Sequence, residues 1–201
     1  NILFLNNNNP RNLLAKFSSK IFNKKPNNLI AVTGTNGKSS IANFYFQILT
    51  LNRIKAASIG TLGVTGLKVK KNFSNTTFDT IQINKILKKL KERRIENVIL
   101  EASSHGLNQN RLDGLEFDIG IFTNLTRDHL DYHKTYKNYL NSKLILFKKL
   151  LKKKSYAIYD NELKISSNLN KITRLNKIKK LTLGNTKSSF SIIDHQFLKD
   201  E

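Results

Sequence analysis

The chain has 201 residues, 39% of them hydrophobic, and carries 35 Lys and Arg against 14 Asp and Glu, a formal net charge of +21. That length allows one sizeable core. No apolar run approaches the ~18 residues of a membrane span, residues 1–10 lack the pattern of a signal peptide, and the absence of cysteine excludes disulfides and thiolate sites. The absence of Met reads as a fragment of a longer product. A field of positive charge invites a nucleic-acid reading. Here the lysines are mixed with Asn and Ile throughout. They fall on expected solvated helix faces, as at Lys88, Lys89, Lys91, Arg93 and Arg94. No aromatic-interleaved basic stretch accompanies them, so the charge is read as general solubility and neither a nucleic-acid nor a membrane partner is expected.

In chain order, residues 2–5 read as a short strand and 6–10 as a turn. Residues 11–22 form an expected helix, with Leu13, Leu14, Phe17 and Ile21 on one face. After a break at Pro26 comes an apolar strand, 29–33, then a Gly-rich turn and a helix over 39–51. That helix carries Ile41, Phe44, Ile48 and Leu51 on one side. A strand at 56–59 precedes a Gly-punctuated stretch, 60–75, expected to hold a hairpin. The helix expected at 79–94 turns Ile83, Ile86, Leu87 and Leu90 inward. Strands follow at 97–101 and 118–123, then a helix over 136–153 through Tyr139, Leu144, Phe147 and Leu151. Strands at 155–159, 180–183 and 190–193 complete the pattern, with no closing element, as in a chain that stops within its domain. Strands alternating with helices of this length imply an α/β fold, a mainly parallel sheet flanked by helices.

The sharpest motif is Gly34-Thr35-Asn36-Gly37-Lys38-Ser39, between an expected strand and an expected helix. Glycines let backbone N–H groups wrap a phosphate. The helix N-terminus and Lys38 add positive charge, and the Ser39 hydroxyl is a ligand for Mg²⁺. The general phosphate-loop pattern has a further glycine six residues before the lysine, where this chain has Val32.

Further segments carry a family resemblance. These are Glu101-Ala102-Ser103-Ser104-His105-Gly106-Leu107, the run Thr123-Asn124-Leu125-Thr126-Arg127-Asp128-His129-Leu130-Asp131-Tyr132-His133, and Asn141-Ser142-Lys143 before an apolar run. Together with the shortened phosphate loop they make the chain resemble the Mur ligases, in particular the MurE branch, in order and spacing from about residue 2 to 160. The resemblance implies the P-loop NTPase-like central domain of that family over 29–201, incomplete at its C-terminus. Residues 1–28 would then be the tail of a uridine-recognising domain and its connector, with the amino-acid-binding domain absent.

It also implies ATP and Mg²⁺ as cofactors, with Gly34, Thr35, Asn36, Gly37, Lys38, Ser39 and Ser40 at ATP. Ser39, Glu101, His129 and a carbamylated Lys143 would lie at magnesium, and the catalytic set would be Lys38, Glu101, His129 and Lys143. Asn75, Thr76, Thr77, Ser103, Gln109 and Arg111 fall on substrate-contacting positions, although Phe78 stands where the family has proline. A cytoplasmic, monomeric ligase of peptidoglycan synthesis is implied. It would activate the carboxylate of UDP-N-acetylmuramoyl-L-alanyl-D-glutamate for attack by a diamino acid. The rivals are another ligase of the same superfamily, such as a folylpolyglutamate synthetase, and a nucleotide-binding fragment without turnover. Ser103, His105 and Asp113 lack the G-x-S-x-G context of a hydrolase. His129 and His133 lack the H-E-x-x-H context of a zinc enzyme.

Overall fold

Among the described residues the strands form one eight-stranded sheet that is parallel except at one hairpin, and three of them, at its centre, end at the candidate site. The computed structural model describes residues 7–67, 75–185 and 187–191; the strand expected at 2–5, part of the 60–75 stretch and the end of the 190–193 strand lie outside them. In chain order the elements are α1 (Pro10–Ile21), β1 (Asn28–Thr33), α2 (Lys38–Leu51), β2 (Ala56–Gly60), β3 (Gly63–Val64), α3 (Thr80–Glu92), β4 (Asn97–Glu101) and α4 (Ser104–Asn108). Then come β5 (Phe117–Phe122), α5 (Leu130–His133), α6 (Tyr136–Ile145), a π-helical turn (Leu146–Leu150), β6 (Leu151–Asp160), α7 (Ser166–Leu175), β7 (Lys179–Gly184) and β8 (Phe190–Ser191). Strand order is β3-β2-β4-β1-β5-β6-β7-β8, with β2 and β3 forming the antiparallel hairpin.

The order explains where ligands can go. The chain leaves β1, builds β2 and β4 on one side, then returns to build β5 on the other. β1 therefore sits at the point where the winding reverses, with β4 and β5 as its neighbours. In parallel sheets the crevice beyond the strand C-termini at such a reversal is the open position for a ligand. Register aligns Val32 with Glu101 and Thr33 with Phe122, so β4 and β5 end level with the Gly-rich turn.

One sheet face is covered by the larger core: Ile83, Leu87 and Leu90 of α3, Leu144 of α6, Leu146, Phe147 and Leu150 of the π turn, and Leu169 and Ile172 of α7. On the other face α2 covers Ile30, Val32 and Ile99 through Ala42, with Ile41 and Tyr45 at the margin. α1 is tied to this body by Ser18 Oγ, which donates to Thr80 O (3.3 Å), and Ser19 Oγ, which donates to Gly114 O (2.5 Å).

The structure differs from simple periodicity in two helix faces and corrects one helix end. The apolar side of α2 is mostly uncovered: Ile41 packs at the margin of the core, Phe44 (59%), Ile48 and Leu51 (82%) are exposed, and the small Ala42 makes the close contact. In α1, Leu14, Phe17 and Ile21 are likewise exposed while Ala15, Ser18 and Ser19 are buried. Small side chains win these positions because they let the helix approach backbone closely. The helix expected over 136–153 ends at Leu150, and Leu151 already belongs to β6. α7 and the short α4 and α5 were absent from the expected pattern.

Candidate active site

The site is built at the C-terminal ends of β1, β4 and β5. After Thr33 the chain turns through Gly34 (φ 149°) and Gly37 (φ 83°), both in the region that favours glycine. A Cβ at Gly34 would strike the Thr123 hydroxyl. Gly37 is the N-cap of α2 and supplies no side-chain cap, which leaves the first N–H groups of a 14-residue helix open to an anion. The turn is held from β5's extension: Thr35 N–H donates to Asn124 O (3.0 Å), Asn36 N–H to Asn124 Oδ1 (2.9 Å), and the Thr123 hydroxyl to Asn36 O (2.6 Å).

Lys38 curls over the turn, Nζ donating to Gly34 O (3.0 Å) and Thr35 O (2.7 Å). Burial lowers its pKa from the ordinary lysine value, an effect opposed by the charges of Glu101 and Asp128. Ser39 lies one residue on, and its hydroxyl donates to Glu101 Oε2 (2.9 Å). Ser40 is exposed on α2.

Glu101 is 3% exposed at the end of β4. Its carboxylate accepts from Thr61 N–H (3.0 Å) and Thr61 Oγ1 (3.1 Å) as well as from Ser39. Gly60 makes room for it, because a Cβ there would run into the Glu101 side chain. Three hydrogen bonds fix this carboxylate beside the phosphate turn, and sequence reasoning missed Thr61 as their main donor.

Lys143 comes from α6 and is 1% exposed. Its Nζ donates to Gly34 O (2.6 Å) and lies 4.5 Å from the ring centre of Tyr139. The Tyr139 hydroxyl in turn meets Thr35 Oγ1 at 3.0 Å. Burial first, then the like charge of Lys38, lowers the Lys143 pKa to about 7. From sequence Lys143 looks like one more solvated lysine; in the fold it is buried against the phosphate turn. Four side chains, Lys38 and Ser39 after β1, Glu101 at the end of β4 and Lys143 on α6, thus converge there.

His129 sits differently. It occupies a left-handed position (φ 52°) at the start of α5, its ring is half-exposed, and Nε2 lies 3.4 Å from Asp128 Oδ2. Its ring meets His105 edge-on at 4.8 Å, and His105 continues to Tyr132 and His133. Burial, then the His129 charge, lowers the His105 pKa; burial, then His105, lowers that of His133. Among the described residues no three His, Cys, Asp or Glu side chains form a group that could hold a metal. Ser39 and Glu101 nevertheless present oxygen donors together, the chemistry a hard divalent cation requires, so the residues present fit magnesium bound with a nucleotide's own phosphate oxygens.

The expected substrate positions form a strip beside this centre. Thr77 is buried, its hydroxyl bonding to Glu101 O (2.8 Å) and Ser103 Oγ (2.9 Å). Ser103 caps α4 by accepting from Gly106 N–H. Arg111 donates through Nη1 to Thr77 O (2.5 Å) and through Nε and Nη2 to Gln109 Oε1 (3.1 and 2.7 Å). Thr76 accepts from the Thr61 hydroxyl (3.1 Å) and Asn75 is exposed at the edge of the described segment. Phe78, at the family's proline position, is fully buried in the main core.

The model of the Mur ligase middle domain matches residues 32–200. The chain belongs to the Mur ligase middle-domain family. A diaminopimelate-adding ligase (UDP-N-acetylmuramoyl-L-alanyl-D-glutamate--2,6-diaminopimelate ligase) of Rhizobium meliloti is 45% identical over 149 residues, 74% of this chain and 31% of that protein. The protein of the same description from Chelativorans sp. is 39% identical over 93% of this chain and 39% of its own length. This Mur ligase domain therefore spans about a third of the length of such relatives. A solved structure of an enzyme so described superposes with a TM-score of 0.80 at 30% identity, covering 92% of this chain and 39% of that one. A Mycobacterium tuberculosis folylpolyglutamate synthase complexed with ADP shares the fold at TM-score 0.72 and 10% identity, over 94% of this chain and 49% of that one.

Proposed function

We propose that this chain is the ATP-handling domain of a ligase that joins 2,6-diaminopimelate to UDP-N-acetylmuramoyl-L-alanyl-D-glutamate. The observation that carries the reading is the convergence of Lys38, Ser39, Glu101 and buried Lys143 on one phosphate turn, in a Mur ligase domain whose relatives bear that description. Residues 1–28 are assigned to the connector from a uridine-recognising domain and 29–201 to the ATPase domain. The reading carries a cytoplasmic location and a monomer.

A free carboxylate is a poor acyl donor. Transfer of the γ-phosphoryl group of ATP to the substrate carboxylate gives an acyl phosphate and ADP. Attack by the diamino acid's amine then forms the amide and expels phosphate. The open N–H groups at the start of α2 and the Lys38 ammonium hold the phosphates and offset charge on the transferring group. Lys38 must release Gly34 O and Thr35 O to do so. Ser39 and Glu101 would hold Mg²⁺, which supplies charge neutralisation at the phosphates when bound. Because burial lowers the Lys143 pKa to about 7, a substantial fraction of its amine is neutral at physiological pH. A neutral amine adds to carbon dioxide and loses a proton to give a carbamate, an oxygen donor beside the same turn. Gln109 and Arg111 are assigned to the muramoyl-peptide, whose carboxylates match the guanidinium fork.

The test is ligation by the full-length protein, with ATP, Mg²⁺, the UDP-linked dipeptide and diaminopimelate. Lys38→Ala is expected to lower kcat by about 100-fold or more. Undiminished turnover in that variant, or turnover of folate in place of the UDP-linked dipeptide, would remove the proposal.

A further inference from the structure

Tyr132 takes part in no step above, yet its hydroxyl closes a chain of hydrogen bonds that ends at the proposed substrate fork. The phenolic oxygen accepts from Gln109 Nε2 (3.1 Å) and from Asn108 Nδ2 (3.1 Å). Gln109 is thereby turned so that Oε1 faces the other way, toward Arg111, where it accepts from both Nε and Nη2. Thr77 O takes a third donor on Nη1. A guanidinium has five N–H groups, so these bonds fix its plane and leave one N–H on each of Nη1 and Nη2 for a ligand. The guanidinium only donates, so it selects the amide oxygen; the phenol holds the other end of the amide and so fixes where that oxygen sits. Without the phenol oxygen the amide nitrogen loses its partner in this set, and the amide is free to swing with the guanidinium it holds.

Tyr132 is itself held in place. It belongs to α5, the short helix that begins immediately after His129. Its ring packs on His105 (centroids 4.2 Å apart, 39° between planes) and edge-on to His133 (4.8 Å, 84°). The phenol therefore links the segment carrying His129 to the strip carrying Gln109 and Arg111.

We infer that Tyr132 is a positioning residue: through Gln109 it sets the orientation of the Arg111 fork that grips a carboxylate of the UDP-linked dipeptide. The inference rests on the proposed function, because it needs that substrate at Arg111. The aromatic contacts require only the ring, so Tyr132→Phe keeps the packing and deletes the hydroxyl alone.

The experiment is steady-state kinetics of the full-length protein and its Tyr132→Phe, Gln109→Ala and double variants, with thermal melts of each. In Tyr132→Phe the KM for the UDP-linked dipeptide is expected to rise about tenfold while the KM for ATP stays within about twofold. The melting temperature should hold, and the double variant should be no worse than Gln109→Ala alone. An unchanged dipeptide KM, a parallel rise in both KM values, or additive losses in the double variant would overturn the inference and leave the ligase reading standing. A wild type that binds ATP but does not ligate the UDP-linked dipeptide would overturn both.

Discussion

Lys143 ties stability to pH and, under the proposed function, chemistry as well. Its ammonium has a single carbonyl partner, Gly34 O, and the like charge of Lys38 nearby, so the folded state disfavours the protonated form. The folded pKa of about 7 lies below the unfolded lysine value of ~10.4. Between those values the unfolded chain holds more protons, so this group makes stability rise as pH rises through that window. Below it the burial penalty is fully present. Lys143→Met is expected to melt higher than wild type at about pH 6, with the gap narrowing toward pH 10, and to lose ligation. Melting curves that run parallel over that range would contradict this account. Gly60 makes a second case at the same scale. Gly60→Ala would drive a methyl into the Glu101 side chain and pull the carboxylate from Ser39 and Thr61. An overpacked buried site typically loses about 1–3 kcal/mol. The expected result is weaker magnesium-dependent ATP binding by calorimetry, whereas unchanged affinity would separate Glu101 from the cation.

At the scale of elements, capping and breaks decide what the chain does. α3 starts at Asp79, whose carboxylate accepts from Ile81 N–H (3.0 Å) and Gln82 N–H (2.9 Å). Asp79→Ala is expected to cost about 1 kcal/mol in urea unfolding; a midpoint equal to wild type would show the cap to be idle. The inward face of this helix was legible, because Ile83, Leu87 and Leu90 recur at helical spacing between charged positions. The faces of α1 and α2 were not, since apolar spacing shows that a stripe exists and not whether anything covers it. Ala15, Ser18 and Ala42 earn their burial by smallness, which hydrophobic periodicity does not register. The 136–153 helix was read too long for a related reason: no Gly or Pro marks its end. The helix widens into a π turn at Leu146–Leu150 instead, and strand pairing with β5 takes over at Leu151.

Across the whole molecule, the strand–turn–helix at Gly34–Ser39 was legible because a Gly-rich turn of this kind admits few residue types at fixed spacing. The partners gathered around it were not, because Thr61, Asn124 and Tyr139 are brought in by sheet order and a helix crossing. Lys143 lay in a recognised segment, yet its buried environment came only from the fold. The +21 charge belongs to this scale as well. Like charges spread over one small body repel, and salt screens them over about 8–10 Å, so raising NaCl from low to physiological strength is expected to raise the melting temperature. A flat response would mean that local pairs such as Lys91 with Glu96 (2.7 Å) already neutralise the field. Under the proposed function, the Gly34–Ser39 turn, Glu101 and Lys38 make a single site for nucleotide and divalent cation. Calorimetric titration of ATP into the protein with and without Mg²⁺, in wild type and Glu101→Gln, tests it most directly. Tight binding that requires Mg²⁺ in wild type and weakens in the variant is the predicted result. Equal affinity with or without the cation, in both proteins, would contradict it.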